Sequence, residues 1–109
     1  MSGKDVVQIG VEELERGEFD DVMLLKLAEH SINPDVLEIL AGHSNAIIRL
    51  AVAANRHIGL AAANVLENDK DSGVVRVLVV NPTYLAMQID GVVDISNAVI
   101  RRTGVVKPE

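Results

Sequence analysis

Apolar positions come in short bursts along this chain, separated by clusters of Asn, Asp, Ser, Gly and Pro. Residues 1–9 read as a frayed or strand-like start. Residues 10–18, GVEELERGE, read as a short acidic helix interrupted by Gly17. Asp20 or Asp21 then caps a helix that runs through His30, with Val22, Leu24, Leu25, Leu27 and Ala28 on one broad face. In SINP, Asn33 caps and Pro34 takes the first helical position. PDVLEILA follows and Gly42 ends it. Ser44 caps the next helix, which contains IIRLAVAAN, residues 47–55. RHIG is a loop, LAAANVLEN another short helix, and NDKDSG an exposed polar stretch.

GVVRVLVVNP carries two signals. Its Val and Leu residues favour a strand. Its place in the order of elements favours a helix. Pro82 ends either one at Asn81. YLAMQID is a short helical stretch, and Asp90-Gly91 reads as a turn. DISNAVIRRTG reads as a last short helix, capped at Asp94 or Ser96 and stopped at Gly104.

The bursts repeat. LAEHSINPDVLEILAGH aligns with AVAANRHIGLAAANVLEND, placing His30 on Asn55, Leu37 on Ala62 and Leu40 on Val65, all by one common step. The step from Asn55 to Asn81 is one position longer. A period of this size marks stacked units that bury their apolar faces against neighbours. Central units are then apolar on two sides. IIRLAVAAN fits such a place, because its alanines let backbones approach closely.

These residues resemble the variant leucine-rich repeat, a short all-α solenoid unit. That family's pattern is an Asp, four variable residues, V-R-x-A-V-A-x-N-P, a short loop with a second proline, then V-L-x-x-L-A-x-D. Ile48, Arg49, Ala51, Val52, Ala53 and Asn55 match the first half. Pro34, Val36, Leu37, Leu40 and Ala41 match the second, with His43 where Asp is usual. Val75, Arg76, Val79, Asn81 and Pro82 match a later copy, one residue short between Arg76 and Asn81. Arg56 and Gly59 stand where prolines are usual. The resemblance covers roughly residues 20–90. It implies an all-α, right-handed, HEAT-like solenoid of paired helices, about three degenerate units long, in which an α-helix alternates with a short, often 3₁₀, helix. Larger family members carry an iron–sulfur region, which does not transfer to a chain without cysteine.

The expected organisation is a single domain over 1–109. Residues 1–19 are an acidic cap segment, 20–90 the helical repeats, and 91–109 a short helix and tail. Aromatics are only Phe19 and Tyr84, so the core is built from Leu, Val, Ile and Ala. The formal net charge of −6 opposes nucleic-acid binding. Residues 1–21 carry seven acidic and two basic side chains, whereas 101–109 carry three basic and one acidic. The start lacks the apolar run of a signal peptide, and no segment reaches about 18 uncharged apolar residues. A cytoplasmic protein off the membrane is expected.

Asn55 and Asn81, with His30 in register, sit at helix ends, where they tie loops together. Pro34 and Pro82 mark the same repeat. Arg49 and Arg76 have two readings. Either their stems lie over the surface and the charges pair with Asp69, Glu67 or Glu38, or both guanidinium groups face a carboxylate-bearing partner in one groove. Glu12, Glu15 and Asp20 extend that surface towards a basic partner. His30, His43 and His57 stand far apart on separate elements and lack the local spacing of a metal motif. No carboxylate dyad, nucleophile pair or phosphate loop stands out. No metal, cofactor or catalytic residue is therefore expected.

The function expected is a non-enzymatic protein-interaction or scaffold module that holds a protein or peptide and pairs as a homodimer through its apolar C-terminal units. The alternatives are an acidic inhibitor or regulator of a basic target and a small enzyme with its site at a dimer interface.

Overall fold

The computed structural model describes residues 8–95, with side chains through residue 88. Seven α-helices account for its regular structure, and no strand occurs among the described residues. They are α1 (Val11–Arg16), α2 (Asp21–His30), α3 (Pro34–Ala41), α4 (Ala46–Ala54), α5 (Leu60–Glu67), α6 (Ser72–Val79) and α7 (Pro82–Ile95).

Short helices need defined ends, and most of these have them. Gly10 precedes α1, and the Glu13 carboxylate accepts its N–H at 3.0 Å. Asp20 caps α2 by accepting from the Met23 N–H, and Asn33 caps α3 from Asp35. Asn45, rather than Ser44, caps α4 by accepting from Ile47 at 2.9 Å. Asp71 caps α6 from Gly73. Asn81 accepts from Thr83 at the start of α7, with Pro82 at its first position. Both helices that begin with proline sit directly behind an Asn that accepts from the residue two positions on.

The helices pack in an interleaved bundle. α4 lies against α2 on one side and α6 on the other. α3 lies against α5, and α1 and α7 pack at the two ends of that second row. Each row also rests on the other, most closely where α3 meets α4. Asn45 at the start of α4 donates to Asp21 at the start of α2, at 3.0 Å. Asn55 just past α4 bonds to carbonyls at the end of α2. Starts therefore lie beside starts and ends beside ends, so α2 and α4 run parallel. The bonds of Asn81 to the end of α4 extend the same direction to α6.

α4 sits among four other helices, and its composition follows from that position. Ile48, Ala51, Val52 and Ala53 are buried, and only Ile47, Leu50 and Ala54 are exposed. A helix apolar on nearly every side belongs inside a pile of helices. Ala28, Ala41, Ala53, Ala62 and Ala63 are all buried. Their small volume sets how closely the rows approach. Ala53→Leu is expected to destabilise the protein by about 1–3 kcal/mol through overpacking, measured by urea unfolding. A tolerated leucine there would mean the contact is looser than described.

Residues 74–79 are helical despite their valines. β-branched residues disfavour helix only by a few tenths of a kcal/mol each, and tertiary context overrides that. Here Val74 and Leu78, four apart, are fully buried against the rest of the bundle, and Asp71 caps the start. Asp90-Gly91 is not a turn: α7 continues through both to Ile95. α3 and α5 are full α-helices rather than 3₁₀. The expected helix stopped at Gly104 lies, from Ser96 on, outside the described residues.

Candidate functional site

Two polar devices hold the rows in place. The first is Arg49. Its Nε and Nη2 donate to the two Asp69 carboxylate oxygens at 2.8 and 3.1 Å, and its Nη1 donates to the carbonyls of His43 and Ser44. Both side chains are buried, at 9% and 5% exposure, although Asp69 belongs to the stretch expected to be exposed. The hydrogen bond from Arg49 holds the Asp69 carboxyl below its ordinary pKa against the opposing effect of burial, and the Asp71 N–H assists. The Arg49 guanidinium is correspondingly held more firmly protonated, chiefly by its bond to Asp69. This pair clamps the loop before α4 to the loop before α6.

Asp69 and His43 do one job in successive loops. The Asp69 carboxylate accepts the Asp71 N–H, and the His43 Nδ1 accepts the Asn45 N–H, both at 2.9 Å. An imidazole nitrogen thus stands in for a carboxylate acceptor in the earlier loop. Its Nε2 lies 4.0 Å from Asp21.

The second device is a run of helix-end side chains. Buried Asn55 donates to the carbonyls of Ala28 and Ser31 and accepts from His57. Buried Asn81 donates to the carbonyls of Ala53 and Asn55 and accepts from Thr83. In the earlier position stands Ser31, buried, whose hydroxyl accepts from Asn33 at 3.1 Å. His30 is one residue short of it and exposed, 3.8 Å from Glu29. Every buried side-chain nitrogen and oxygen among the described residues has a partner.

The remaining expected site residues lie apart. Glu12 and Glu15 are exposed on α1, and Asp20 is engaged in capping α2. Arg76 is exposed on α6. The step that relates Asn55 to Asn81 carries Leu50, not Arg49, onto Arg76; Arg49 is buried against Asp69, whereas Arg76 is exposed. Pro34 and Pro82 open α3 and α7. Tyr84 donates to Glu67 at 2.9 Å; burial, then that carboxylate, raise its phenol above the ordinary pKa.

What the arrangement leaves open is one side of the α2, α4 and α6 row. Val22 and Ile47 are 64% and 60% exposed there. Leu50 is exposed beside them on α4, and Val80 is exposed just past the end of α6. Between α2 and α4 lies a groove of about 280 Å³ lined by Leu25, Glu29, Ile47, Leu50, Ala51, Ala54 and Asn55. Glu29 is its one ionisable residue. Such a surface can hold an apolar side chain and offer one carboxylate at its edge. Sequence reasoning missed these residues because α4 is apolar on both sides. The available signal was phase: Ile47, Leu50 and Ala54 share one side, and Ile48 and Val52 the other.

No three His, Asp or Glu side chains converge on a common point among the described residues, and no helix there is long and apolar enough to cross a membrane. Compared with protein-family models, curated proteins and solved structures, the chain matches none of them.

Proposed function

We propose that the chain is a protein-interaction module that works by binding rather than catalysis, built as a short right-handed α-solenoid of the variant leucine-rich repeat kind. The pairs are α2 with α3, α4 with α5, and α6 with α7. Hydrogen bonds that recur at the same step along the chain, from Asn55 to Asn81 and from His43 to Asp69, support the repeat reading. A place in the cytoplasm fits a chain without cysteine.

The observation that carries the functional reading is the exposed apolar groove between α2 and α4. Soluble proteins seldom leave such a patch open unless something covers it. The partner surface therefore moves from Arg49 to Leu25, Ile47, Leu50 and Ala54, with Arg76 at its rim. Leu50→Asp tests it. The substitution lies on an exposed side, so the fold, followed by circular dichroism, is expected to persist. Immobilised wild-type protein is expected to capture a partner from extract of its own cells that the variant does not. Capture of the same proteins by both would contradict this face.

The exposed acids Glu12, Glu15 and Glu18 favour a second reading, regulation of a basic target. A partner gripped that way would leave steeply as salt rises, whereas one held by the apolar face would not.

A further inference from the structure

On the repeat reading proposed above, on which this inference rests, the row of α2, α4 and α6 can be followed one step further. α4 packs against α2, α3, α5 and α6, whereas α6 packs only against α4, α5 and α7. What α6 lacks is a neighbour on the side turned away from α4. On α4 the corresponding side is covered. Arg49 bonds to Asp69 in the loop before α6, and the Ala53 carbonyl accepts from Asn81 just past α6. Leu50 lies 3.9 Å from the place a Cβ would take at Gly73. The step of 26 residues from Asn55 to Asn81 carries Arg49 onto Val75, Leu50 onto Arg76 and Ala53 onto Val79. Ala53 is fully buried, but Val79 is 44% exposed and Val75 only half-buried. Two valines one turn apart thus stand on a side of α6 that no described helix covers.

The sequence beyond the described residues holds a segment that fits this side. SNAIIR, residues 44–49, recurs two such steps later as SNAVIR, residues 96–101. In this frame Asn97 falls on Asn45 and Asp71, which cap α4 and α6. Ile100 falls on Ile48 and Val74, both buried. Val99 falls on Gly73, and so beside Arg76 as Gly73 lies beside Leu50. Arg101 falls on Arg49 and Val75, the side away from the preceding helix, and Arg102 on exposed Leu50 and Arg76. The segment is apolar towards α6 and charged on its far side, as the cap of a stack requires.

Two further positions change together. Val75 and Ile95 stand where Arg49 and Asp69 pair, at the same separation of 20 residues. Losing both charges leaves neither one to be buried alone. The match fades at Gly104, which falls on buried Val52 and Leu78, so the fitting part is short. α7 runs two positions further than α5 does in this frame, an ordinary variation for a helix end.

We propose that residues 96–103 dock on the outer side of α6, against Val75 and Val79, and cover it as a further, shortened unit of the row. Through-space methyl contacts in the full chain test this. Contacts from Val99 or Ile100 to Val75 or Val79 are expected, and only within one copy. Ile100→Asp should raise the unfolded fraction by about tenfold or more in urea unfolding, as a charge at a buried position does. Val106→Asp, on the position of exposed Ala54 and Val80, should change it by less than about threefold. The wild-type contacts decide the matter even if a variant fails to fold. Their absence, or an Ile100→Asp chain as stable as wild type, overturns the proposal. So do contacts that arise only between differently labelled copies, which would give the site to a second chain. Slowly exchanging Asn55 and Asn81 amides alongside missing contacts at Val75 and Val79 would leave the repeat standing and remove only the docking.

Discussion

Replacing Asp69 with alanine is expected to lower stability by about 3–5 kcal/mol, measured by urea unfolding. The guanidinium of Arg49 would stay buried without its counter-charge, and the Asp71 N–H would lose its acceptor. A domain of this size holds only about 5–15 kcal/mol in total, so partial unfolding at room temperature is within reach. Replacing both Arg49 and Asp69 with apolar residues should recover part of the loss, since no lone charge is then buried. Recovery should be incomplete, because the His43 and Ser44 carbonyls lose the Arg49 donor.

The pair also fixes a pH dependence. Asp69 is held below its ordinary value of 3.8 in the folded chain. Its contribution is whole above the unfolded pKa and is lost as pH falls through the lower folded value. The stability difference between wild type and Asp69→Asn should therefore hold steady near neutrality and shrink only in acid. A difference that vanishes by about pH 6, above the ordinary carboxylate range, would mean that the ion pair is not the cause.

The second large effect is at Asn55. Asn55→Ala should cost about 2–4 kcal/mol, because two carbonyls and one N–H lose a buried partner at once. Asn55→Asp has nearly the same shape but should be no milder. It keeps one oxygen as acceptor for His57 and turns the other, now an acceptor too, on the carbonyls of Ala28 and Ser31. His30→Ala, on an exposed side chain one position from Ser31, should change stability by no more than about 0.5 kcal/mol. If His30→Ala and Asn55→Ala cost the same, the helix-end tie is misassigned.

Where local chemistry settles an element, the sequence was readable. Asp20 and Asn33-Pro34 mark the starts of α2 and α3 by their capping side chains, and Gly42 stands just past the end of α3. The all-α class followed from the order of such signals, even through the valines of α6. Three local readings went astray for physical reasons. Ser44 and Asn45 are adjacent candidates for one cap, and only the fold shows that the Ser44 carbonyl faces Arg49 while the Asn45 side chain caps. His30 and Ser31 are likewise adjacent, and the shift of one residue separates an exposed imidazole from a buried hydroxyl. Asp90-Gly91 carries strong turn chemistry, yet α7 runs on through it.

The site was less legible than the fold. Arg49 and Arg76 look equivalent in a string of letters. The step between them is one position longer than the step relating Asn55 to Asn81. One position on a helix turns a side chain by about 100°. That rotation puts Arg49 against Asp69 and leaves Arg76 beside the open face. The face itself was hidden because Ile47 and Ile48 are the same residue type with opposite surroundings. The packing of α4 against four other helices, which leaves Ile47 outside and buries Ile48, separates them.

The most direct test of the stacked arrangement is the side-chain amide spectrum of Asn55 and Asn81 in solution. Their NH₂ protons are expected to exchange slowly and to show through-space contacts with Ala28 and Ser31 for Asn55, and with Ala53 for Asn81, while the carbon shifts of residues 74–79 are helical. Amides that exchange as freely as those of an unfolded chain, or extended-strand shifts across 74–79, would contradict it.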